Sequence, residues 1–317
     1  MSIIKLKGGS LSSTYLHDEE LVRKKVSLTV NREYGYVRWY SQLKKIQRYN
    51  SLHPNLFPKI LNVSYENDEA YFDLEYMKGF KDIKRIFSGA ELSISRLEKI
   101  NEALWTAFDE LHSTKYESNS GAPYLYFKEE VLQKLKDACV DPKFDEFFKQ
   151  GSFYINGEKV FGIENYLSQL ESFFKGLNLI SEETIHGNPT LENTLYSFDE
   201  NRIVFVDPYE ESIIDTRFLD YAQVLQCSRS HYGIINDNAV DVSGNKVVNS
   251  TSIPINFMNF NVLFDGQIAE NRTKEIMDVL EATQFIRMLP FKCLAGDLDK
   301  AKYFYVHACL LLSKVFK

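Results

Sequence analysis

Long apolar runs are missing from this sequence. Its 317 residues include no stretch of about 18 consecutive apolar residues, the length that a membrane-spanning helix needs. The first ten residues, MSIIKLKGGS, lack the apolar core of a signal peptide. We therefore expect no membrane insertion and a cytoplasmic location.

Cysteine is scarce and scattered. The four residues, Cys139, Cys227, Cys293 and Cys309, form no C-x-x-C pair and have no histidine at metal-ligand spacing. This pattern argues against a disulfide framework and against a zinc site, and it predicts four reduced thiols.

An excess of positive charge is also absent. The sequence has 37 Lys and Arg against 44 Asp and Glu, which gives a net charge of −7. Binding to nucleic acid or to an anionic membrane needs a basic face, so neither partner is expected. Apolar residues make up 44 %, which is normal for a globular protein, and the length suits one large domain or two lobes. The sequence leaves the oligomeric state open.

The most informative stretch runs from His186 to Asp207. It reads HGNPTLENTLY, then a turn at residues 197–201, then IVFVD. A polar loop followed by two short apolar segments around a turn predicts a β-hairpin. The hairpin would bring Asn193 and Asp207 together, and their amide and carboxylate oxygens suit Mg²⁺.

This motif resembles the aminoglycoside phosphotransferase and choline kinase branch of the protein-kinase-like fold. That branch carries H-G-D-x-x-x-x-N followed by an apolar strand that ends in Asp, and this sequence has H-G-N-P-T-L-E-N and V-F-V-D. It departs at Asn188, where the family has its catalytic Asp. The resemblance implies an α+β, two-lobed fold with a small antiparallel-sheet lobe (1–77) and a large, mainly helical lobe (78–317).

The first lobe would hold the nucleotide. An alternating segment, Ser2–Lys7, precedes a Gly/Ser loop in which Gly9, Ser10 and Ser12 are candidates for phosphate contact, because small residues let backbone N–H groups approach closely. Strands are predicted at 14–16 and 21–28 around a turn at 17–20.

A lysine on the third strand binds phosphate in the resembled family. Lys24 shares a strand face with Val22 and Val26 and is our choice. Lys25 is the alternative, because a period of two does not say which face looks into the cleft.

The segment Asn31–Tyr49 has the apolar spacing of a helix, with Asn31 as its N-cap. The resemblance implies that Glu33, in its first turn, pairs with the strand lysine. Strands are predicted at 60–65 and 70–77. The second would end in a hinge where backbone groups of Glu75 and Met77 bind an adenine edge.

Helices dominate the rest of the chain. Apolar spacing predicts them at 95–112, 131–138, 143–149, 163–177, 272–289 and 298–316. Residues 151–159 are predicted as a loop or hairpin, and 237–253 as polar and rich in turns. In the family, an Asp such as Asp220 opens a helix after the metal-binding strand and bonds back to the catalytic loop.

The resemblance also implies the chemistry. ATP and Mg²⁺ would bind between the lobes, with Asn193 and Asp207 as metal ligands, and His186 would brace the loop. Asn188 has the size of the family Asp but accepts no proton, so it can only orient the acceptor hydroxyl. Three interpretations stay open: a pseudokinase, an enzyme that tolerates Asn, or an engineered Asp→Asn replacement.

The predicted function is ATP-dependent phosphoryl transfer to a hydroxyl of a sugar, polyol or related metabolite. The segments FLDYA and RMLPF resemble kinase-like proteins from bacterial surface-polysaccharide gene clusters. The alternative is a catalytically silent protein that binds nucleotide or serves as a scaffold.

Overall fold

The structure is a computed structural model that describes residues 3–6, 12–30, 32–66, 68–117, 119–178, 181–210, 212–268 and 271–316. The fold is α+β, as predicted, with a small antiparallel sheet in the N-terminal region and a mainly helical C-terminal region.

The N-terminal sheet has five strands in the spatial order β1-β2-β3-β5-β4, and every neighbouring pair is antiparallel. The strands are β1 (Ile3–Leu6), β2 (Ser13–His17), β3 (Leu21–Ser27), β4 (Ile60–Glu66) and β5 (Glu69–Glu75). All five are predicted by the sequence, with ends that agree within two residues.

The turn between β2 and β3 explains part of this agreement. Asp18 and Glu19 both have positive φ, at 49° and 55°, and Glu20 N–H donates to the His17 carbonyl at 2.9 Å. His17 and Leu21 pair in register, so the connection has three residues. Its two consecutive positive φ values match the right-handed twist of the flanking strands, and Asp tolerates this conformation.

One long helix, α1 (Arg32–Leu52), packs on this sheet. Trp39 contacts Phe72 with ring centroids 5.3 Å apart and donates its indole N–H to the Lys24 carbonyl at 3.1 Å. The buried apolar core formed here consists of Val26, Trp39, Leu43, Ile46, Ala70, Phe72 and Leu74. The predicted cap, Asn31, lies outside the described residues.

The remaining described helices are mostly those predicted. They are α2 (Ile83–Phe87), α3 (Ile94–Leu111), α4 (Ala122–Tyr126), α5 (Lys134–Ala138), α6 (Pro142–Phe148), α7 (Leu167–Gly176), α8 (Arg217–Ser228), α9 (Tyr232–Asp237), α10 (Ile255–Gly266), α11 (Asn271–Leu294) and α12 (Leu298–Val315). A π-helix, Phe127–Gln133, joins α4 to α5, and a 3-10 turn, Ile163–Asn165, precedes α7.

Short strands pair elsewhere in three small sheets. The strands are β6 (Lys81–Asp82), β7 (Lys115–Glu117), β8 (Ser152–Ile155), β9 (Glu158–Phe161), β10 (Ser181–Glu183), β11 (Thr194–Ser197), β12 (Arg202–Phe205), β13 (Asp241–Ser243) and β14 (Lys246–Val248). Their orders are β12-β11-β6, β10-β7 and β13-β14-β8-β9. Residues 151–159 therefore contribute to the β8–β9 hairpin, and the turn-rich segment 237–253 contains the β13–β14 hairpin.

Four of the described helices, α2, α4, α9 and α10, are not predicted from the sequence. Helix α10 has buried Phe257, Phe260 and Phe264, but Met258 and Val262 are exposed, so apolar residues surround it and no single stripe predicts it. Helix α4 begins at Ala122 with Gly121 as its N-cap and Pro123 in its first turn; these residue types are typical of a loop, although proline is also tolerated in the first turn of a helix.

Internal contacts divide the chain into two compact units that interleave in sequence. The first comprises Met1–Ile86, Lys99–Ser113 and His186–Ser212, and the second comprises Phe87–Glu98, Thr114–Ile185 and Ile213–Lys317. The second unit has its own extensive apolar core, in which α11 packs against α12 and α8. The His186–Asp207 stretch thus belongs to the same unit as the N-terminal sheet. The lobes predicted at 1–77 and 78–317 stay a prediction.

Among the described helices, none combines the length and the apolar character that a membrane crossing requires.

Candidate functional site

The predicted hairpin forms and fixes the relation between Asn193 and Asp207. In the β11–β12 pair, Thr194 lies opposite Phe205, and Val206 N–H donates to the Asn193 carbonyl at 2.9 Å. Asn193 and Asp207 consequently flank the open end of the hairpin. The Asn193 side chain donates its N–H to the Asn188 carbonyl at 3.0 Å.

His186 braces the loop through both ring nitrogens. Nδ1 accepts the backbone N–H of Asn188 at 3.1 Å, and Nε2 lies 2.9 Å from the Val206 carbonyl. Because a carbonyl only accepts, Nε2 carries the proton and the ring is neutral. The imidazole is fully buried and stacks on Phe57 with an interplanar angle of 7°. The two hydrogen bonds tie the loop at Asn188 to the backbone at the end of β12.

Gly187 is required by the path of this loop. Its φ is +78°, a conformation that residues with a Cβ rarely adopt. A Cβ atom there would lie 2.8 Å from Ser212 Oγ and 3.2 Å from Tyr209 Cβ. The glycine of the H-G-N motif therefore lets the segment after β12 approach the loop closely.

The two adjacent lysines of β3 point in opposite directions. Lys24 forms an ion pair with Asp207, and its side chain is only 14 % exposed. Lys25 pairs with Glu69 at 2.8 Å near solvent. Lys24, with Val26 on its face of the strand, is thus the lysine that meets the Asp207 carboxylate.

Gln42 of α1 completes this contact. Its Oε1 accepts a hydrogen bond from Lys24 Nζ, and its Nε2 donates to Asp207 Oδ1 at 2.9 Å and to the Pro208 carbonyl at 3.0 Å. An ammonium only donates and a carboxylate only accepts, so these neighbours define the orientation of the amide.

The expected partner of Lys24, Glu33, is therefore corrected to Gln42. Glu33 is exposed in the first turn of α1. Nine residues separate it from Gln42 along the helix, a rise of about 13 Å. A glutamate side chain does not span that distance, so the beginning of α1 is too far from Lys24.

Three polar residues on one face of α1 hold the segment that follows β12. Arg38, Gln42 and Lys45 are spaced four and three residues apart, which places them on the same side of the helix. Arg38 forms an ion pair with Glu210, and Lys45 Nζ donates to the carbonyls of Tyr209 and, at 3.3 Å, His186. We call these three residues the α1 polar stripe.

This support is matched by unusual backbone geometry at Asp207. Its φ is +57°, which costs a residue with a Cβ on the order of 1–3 kcal/mol and persists where surrounding contacts impose it. The α1 polar stripe contacts each residue from Asp207 to Glu210. The arrangement fixes the direction in which the Asp207 carboxylate points.

The surroundings of Asp207 favour its ionised form. Desolvation alone would raise its pKa, but the Lys24 charge and hydrogen bonds from Lys24 and Gln42 outweigh that effect and lower the pKa below its ordinary value. The side chain remains 40 % exposed. An ionised and accessible carboxylate is available for a cation.

These residues surround a cavity of about 140 Å³. Its lining comprises Ser12, Lys24, Gly35, Arg38, Trp39, Gln42, Asn188, Asp207, Pro208, Tyr209 and Glu210. Ligand pockets for drug-sized molecules have volumes of about 300–1,000 Å³. The cavity is therefore of a size for phosphate-like groups. Of the Gly/Ser loop candidates, Ser12 lines it, whereas Gly9 and Ser10 lie outside the described residues.

The predicted hinge forms a tight turn. Met77 C=O accepts the N–H of Phe80 at 3.1 Å, and Gly79 has φ +85° at the position where a type II turn needs glycine. Glu75 N–H is engaged by the Lys59 carbonyl at 2.9 Å. Within the described part of the chain, Met77 N–H has no hydrogen-bond partner, and the adenine-contact role of Glu75 and Met77 stays a prediction.

The donor set fits a magnesium ion that is completed by phosphate oxygens. Both hydrogen bonds to Asp207 fall on Oδ1, and no other described residue bonds Oδ2. Asn193 uses its N–H on Asn188, which leaves Oδ1 as a ligand atom. Mg²⁺ is commonly held by one or two protein ligands together with substrate phosphates. Across the described ranges, no three His, Cys, Asp or Glu side chains are grouped to hold a metal by themselves.

Sequence reasoning missed Gln42, Arg38 and Lys45. A signal for Gln42 exists, since it lies three residues after Trp39 and four before Ile46 and thus on the buried face of a helix. A polar residue at such a position has a buried partner. Asp220 is fully buried in the first turn of α8.

Compared with models of protein families, the chain matches none, and no functionally curated protein is significantly similar to it.

Proposed function

We propose that the chain is an ATP-dependent phosphotransferase of the two-lobed, protein-kinase-like fold, acting on a hydroxyl of a sugar, polyol or related small metabolite. One observation carries the proposal: Lys24 and Asp207 meet in a cavity that Ser12 and Asn188 also line. Phosphoryl transfer needs positioning and charge neutralisation more than covalent chemistry from the protein. A cation, a carboxylate and small polar groups around one cavity supply both.

The roles follow from the donor and acceptor capacity of each side chain. Lys24 would bind a phosphate oxygen, and Asp207 and Asn193 would hold Mg²⁺, which supplies charge neutralisation on the phosphate oxygens when bound. His186 keeps the loop in place through the Asn188 backbone and the Val206 carbonyl. The backbone N–H of Met77 would meet the adenine.

In the proposed reaction, the acceptor oxygen bonds to the γ-phosphorus of ATP while the bond from that phosphorus to the β–γ bridging oxygen breaks and ADP leaves. Asn188 orients the acceptor hydroxyl by hydrogen bonding. Because an amide accepts no proton at neutral pH, the hydroxyl proton passes to solvent. A loose transition state of this kind demands little base catalysis, which makes turnover with Asn188 compatible with the chemistry.

Asn188 also favours a second candidate. A site with the lysine, the metal ligands and the nucleotide contacts but no proton acceptor could bind ATP without transferring its phosphoryl group. Such a protein would act through its nucleotide-bound state. The two candidates share the binding site and differ only in turnover.

The decisive experiment separates binding from transfer. The full chain is first titrated with ATP and Mg²⁺, with thermal unfolding as the measurement. It is then incubated with the same ligands and a panel of sugars and polyols, and ADP and phosphorylated product are quantified. Transfer to one acceptor supports the enzyme, and binding without transfer to any of them supports the silent candidate.

Adjacent lysines provide the control. A hydrogen bond to a charged group is worth about 1.5–3 kcal/mol, so Lys24→Met should weaken ATP binding at least about tenfold. Lys25→Met changes the same residue type on the opposite face and should leave the affinity unchanged. Equal effects of both substitutions, or no ATP binding by the parent, would refute the proposal.

A further inference from the structure

The partner of Lys24 on α1 is a neutral amide. Gln42 is 6 % exposed and contacts both Lys24 and Asp207, with its oxygen toward the ammonium and its nitrogen toward the carboxylate. It therefore joins the two charges without adding one. A carboxylate in the same place would give Lys24 an anionic partner of its own.

Asp207 is consequently the one anionic group that pairs with Lys24 among the described residues. The other acid of the cavity, Glu210, is engaged by Arg38, and its side chain is only 4 % exposed. The cavity thus contains two closed ion pairs, Lys24–Asp207 and Arg38–Glu210. Among the described residues, neither cation has a second carboxylate partner in the cavity.

In this arrangement, a divalent cation or a phosphate group that binds without the other is bound more weakly. A divalent cation at Asp207 would face the Lys24 ammonium, and a phosphate at Lys24 would face the Asp207 carboxylate, so each meets a like charge at close range. When both bind, the cation neutralises Asp207 and the phosphate neutralises Lys24. The like-charge contacts are then compensated.

We infer that Gln42 is a positioning residue that makes the binding of the divalent cation and of the phosphate group depend on each other. The inference rests on the proposed function, because it takes a metal–phosphate complex as the ligand. It adds that the neutrality of residue 42 causes the coupling. The site accepts the cation and the phosphate together and binds each of them weakly by itself.

The test compares the parent with Gln42→Glu. A glutamate would neutralise Lys24 and release Asp207, so Mg²⁺ alone should stabilise the variant more than the parent. The affinity for ADP is measured by calorimetry with and without Mg²⁺ in both proteins. Since ADP binds Mg²⁺ in solution in every sample, the informative quantity is the difference between the proteins. Coupling between two ligands typically amounts to about 5–150-fold, and we expect the Mg²⁺-dependent gain to fall at least about fivefold in the variant.

The matched control is Gln47→Glu, which makes the same substitution on the exposed side of α1 and should behave as the parent. Equal Mg²⁺-dependence in the parent and Gln42→Glu, with tight binding of ADP and Mg²⁺, would overturn the inference and leave the proposed function intact. No binding of ADP by the parent, with or without Mg²⁺, would overturn both.

A second variant covers the case in which Gln42→Glu does not fold. Lys24→Met removes the cation that competes for Asp207, so Mg²⁺ alone should raise its unfolding temperature more than that of the parent. Lys25→Met, on the other face of β3, should show no such gain. An identical response of Lys24→Met and the parent to Mg²⁺ would contradict the inference.

Discussion

The backbone N–H of Asn188 donates to Nδ1 of His186, 3.1 Å away. A neutral imidazole therefore holds the residue that we propose to orient the acceptor hydroxyl. The opposite nitrogen donates to the carbonyl of Val206, next to Asp207. One buried ring therefore connects the loop that carries Asn188 with the end of β12 that precedes Asp207. Replacement of that ring should disturb both sides together.

His186→Phe keeps an aromatic ring of similar size against Phe57 but removes both hydrogen bonds. Each buried group left without a partner costs about 1–3 kcal/mol, so the free energy of unfolding should fall by at least about 2 kcal/mol. Denaturant unfolding measures the loss. His17→Phe, at a partly exposed position of β2, is the control and should change little. Equal stability of His186→Phe and the parent would show that the two hydrogen bonds contribute nothing net.

A second buried histidine should make stability depend on pH. Burial lowers the pKa of His53, and the neighbouring His112 lowers it further. Because the folded pKa lies below the unfolded value of about 6.5, the stabilising contribution is complete above pH 6.5 and is lost as pH falls from there toward the folded pKa. Within that window, one proton changes the free energy of unfolding by about 1.4 kcal/mol per pH unit.

His53→Gln removes this titrating group. The slope of the free energy of unfolding against pH in that window should then decrease by up to the equivalent of one bound proton. Denaturant unfolding at several pH values between about 4 and 8, at about 25 °C, measures this slope. The slope reports how many more protons the unfolded state binds than the folded state. His17→Gln serves as the comparison. The same slope in the parent and in His53→Gln would mean that other groups cause the acid sensitivity.

The Arg38–Glu210 pair should be a strong contributor to the geometry of the site. Arg38→Met leaves the Glu210 carboxylate buried without its cation, and breaking a buried pair from one side costs about 3–5 kcal/mol. Glu210→Gln should cost less, because Arg38 also lies over the rings of Tyr34 and Tyr209. The double variant should therefore be more stable than the sum of the two single losses implies.

A double-mutant cycle on unfolding free energies measures this coupling. Lys25→Met breaks the exposed pair with Glu69 and should cost no more than about 1 kcal/mol. Additive losses at positions 38 and 210 would indicate that the two side chains do not interact in solution.

The parts of the site that follow from local sequence are those that the sequence predicts well. Val206 lies opposite Asn193 because a hairpin pairs residues at fixed register, and this places Asn193 and Asp207 at the same end of the hairpin. Lys24 and Lys25 separate because adjacent residues of a strand point to opposite faces, and the buried Val26 identifies the inner face.

The contacts made by α1 depend on how that helix packs against the β11–β12 hairpin. The spacing of residues along the helix does not specify this packing. Glu33 and Gln42 are both polar positions on one helix, and the packing of α1 on the sheet, where Trp39 meets Phe72, places Gln42 beside Lys24. The same holds for Arg38 and Lys45, whose partners lie more than 140 residues further along the chain. Contacts between residues so far apart in the sequence depend on the tertiary structure, and the helical or strand spacing of apolar residues does not predict them.

Asn188 offers the most direct test of the proposed chemistry. General-base catalysis typically contributes about 10²–10⁴ in rate, and Asp has nearly the same volume as Asn. We expect Asn188→Asp to leave the fold and ATP affinity nearly unchanged and to raise phosphoryl transfer to the true acceptor by about that factor, because a carboxylate adds a proton acceptor beside the reacting hydroxyl. Single-turnover rates measure the gain, and Asn62→Asp, exposed on β4, controls for added charge. Equal rates for both forms would show that residue 188 is not a base, whereas ATP binding without transfer in either form would favour the silent nucleotide-binding candidate.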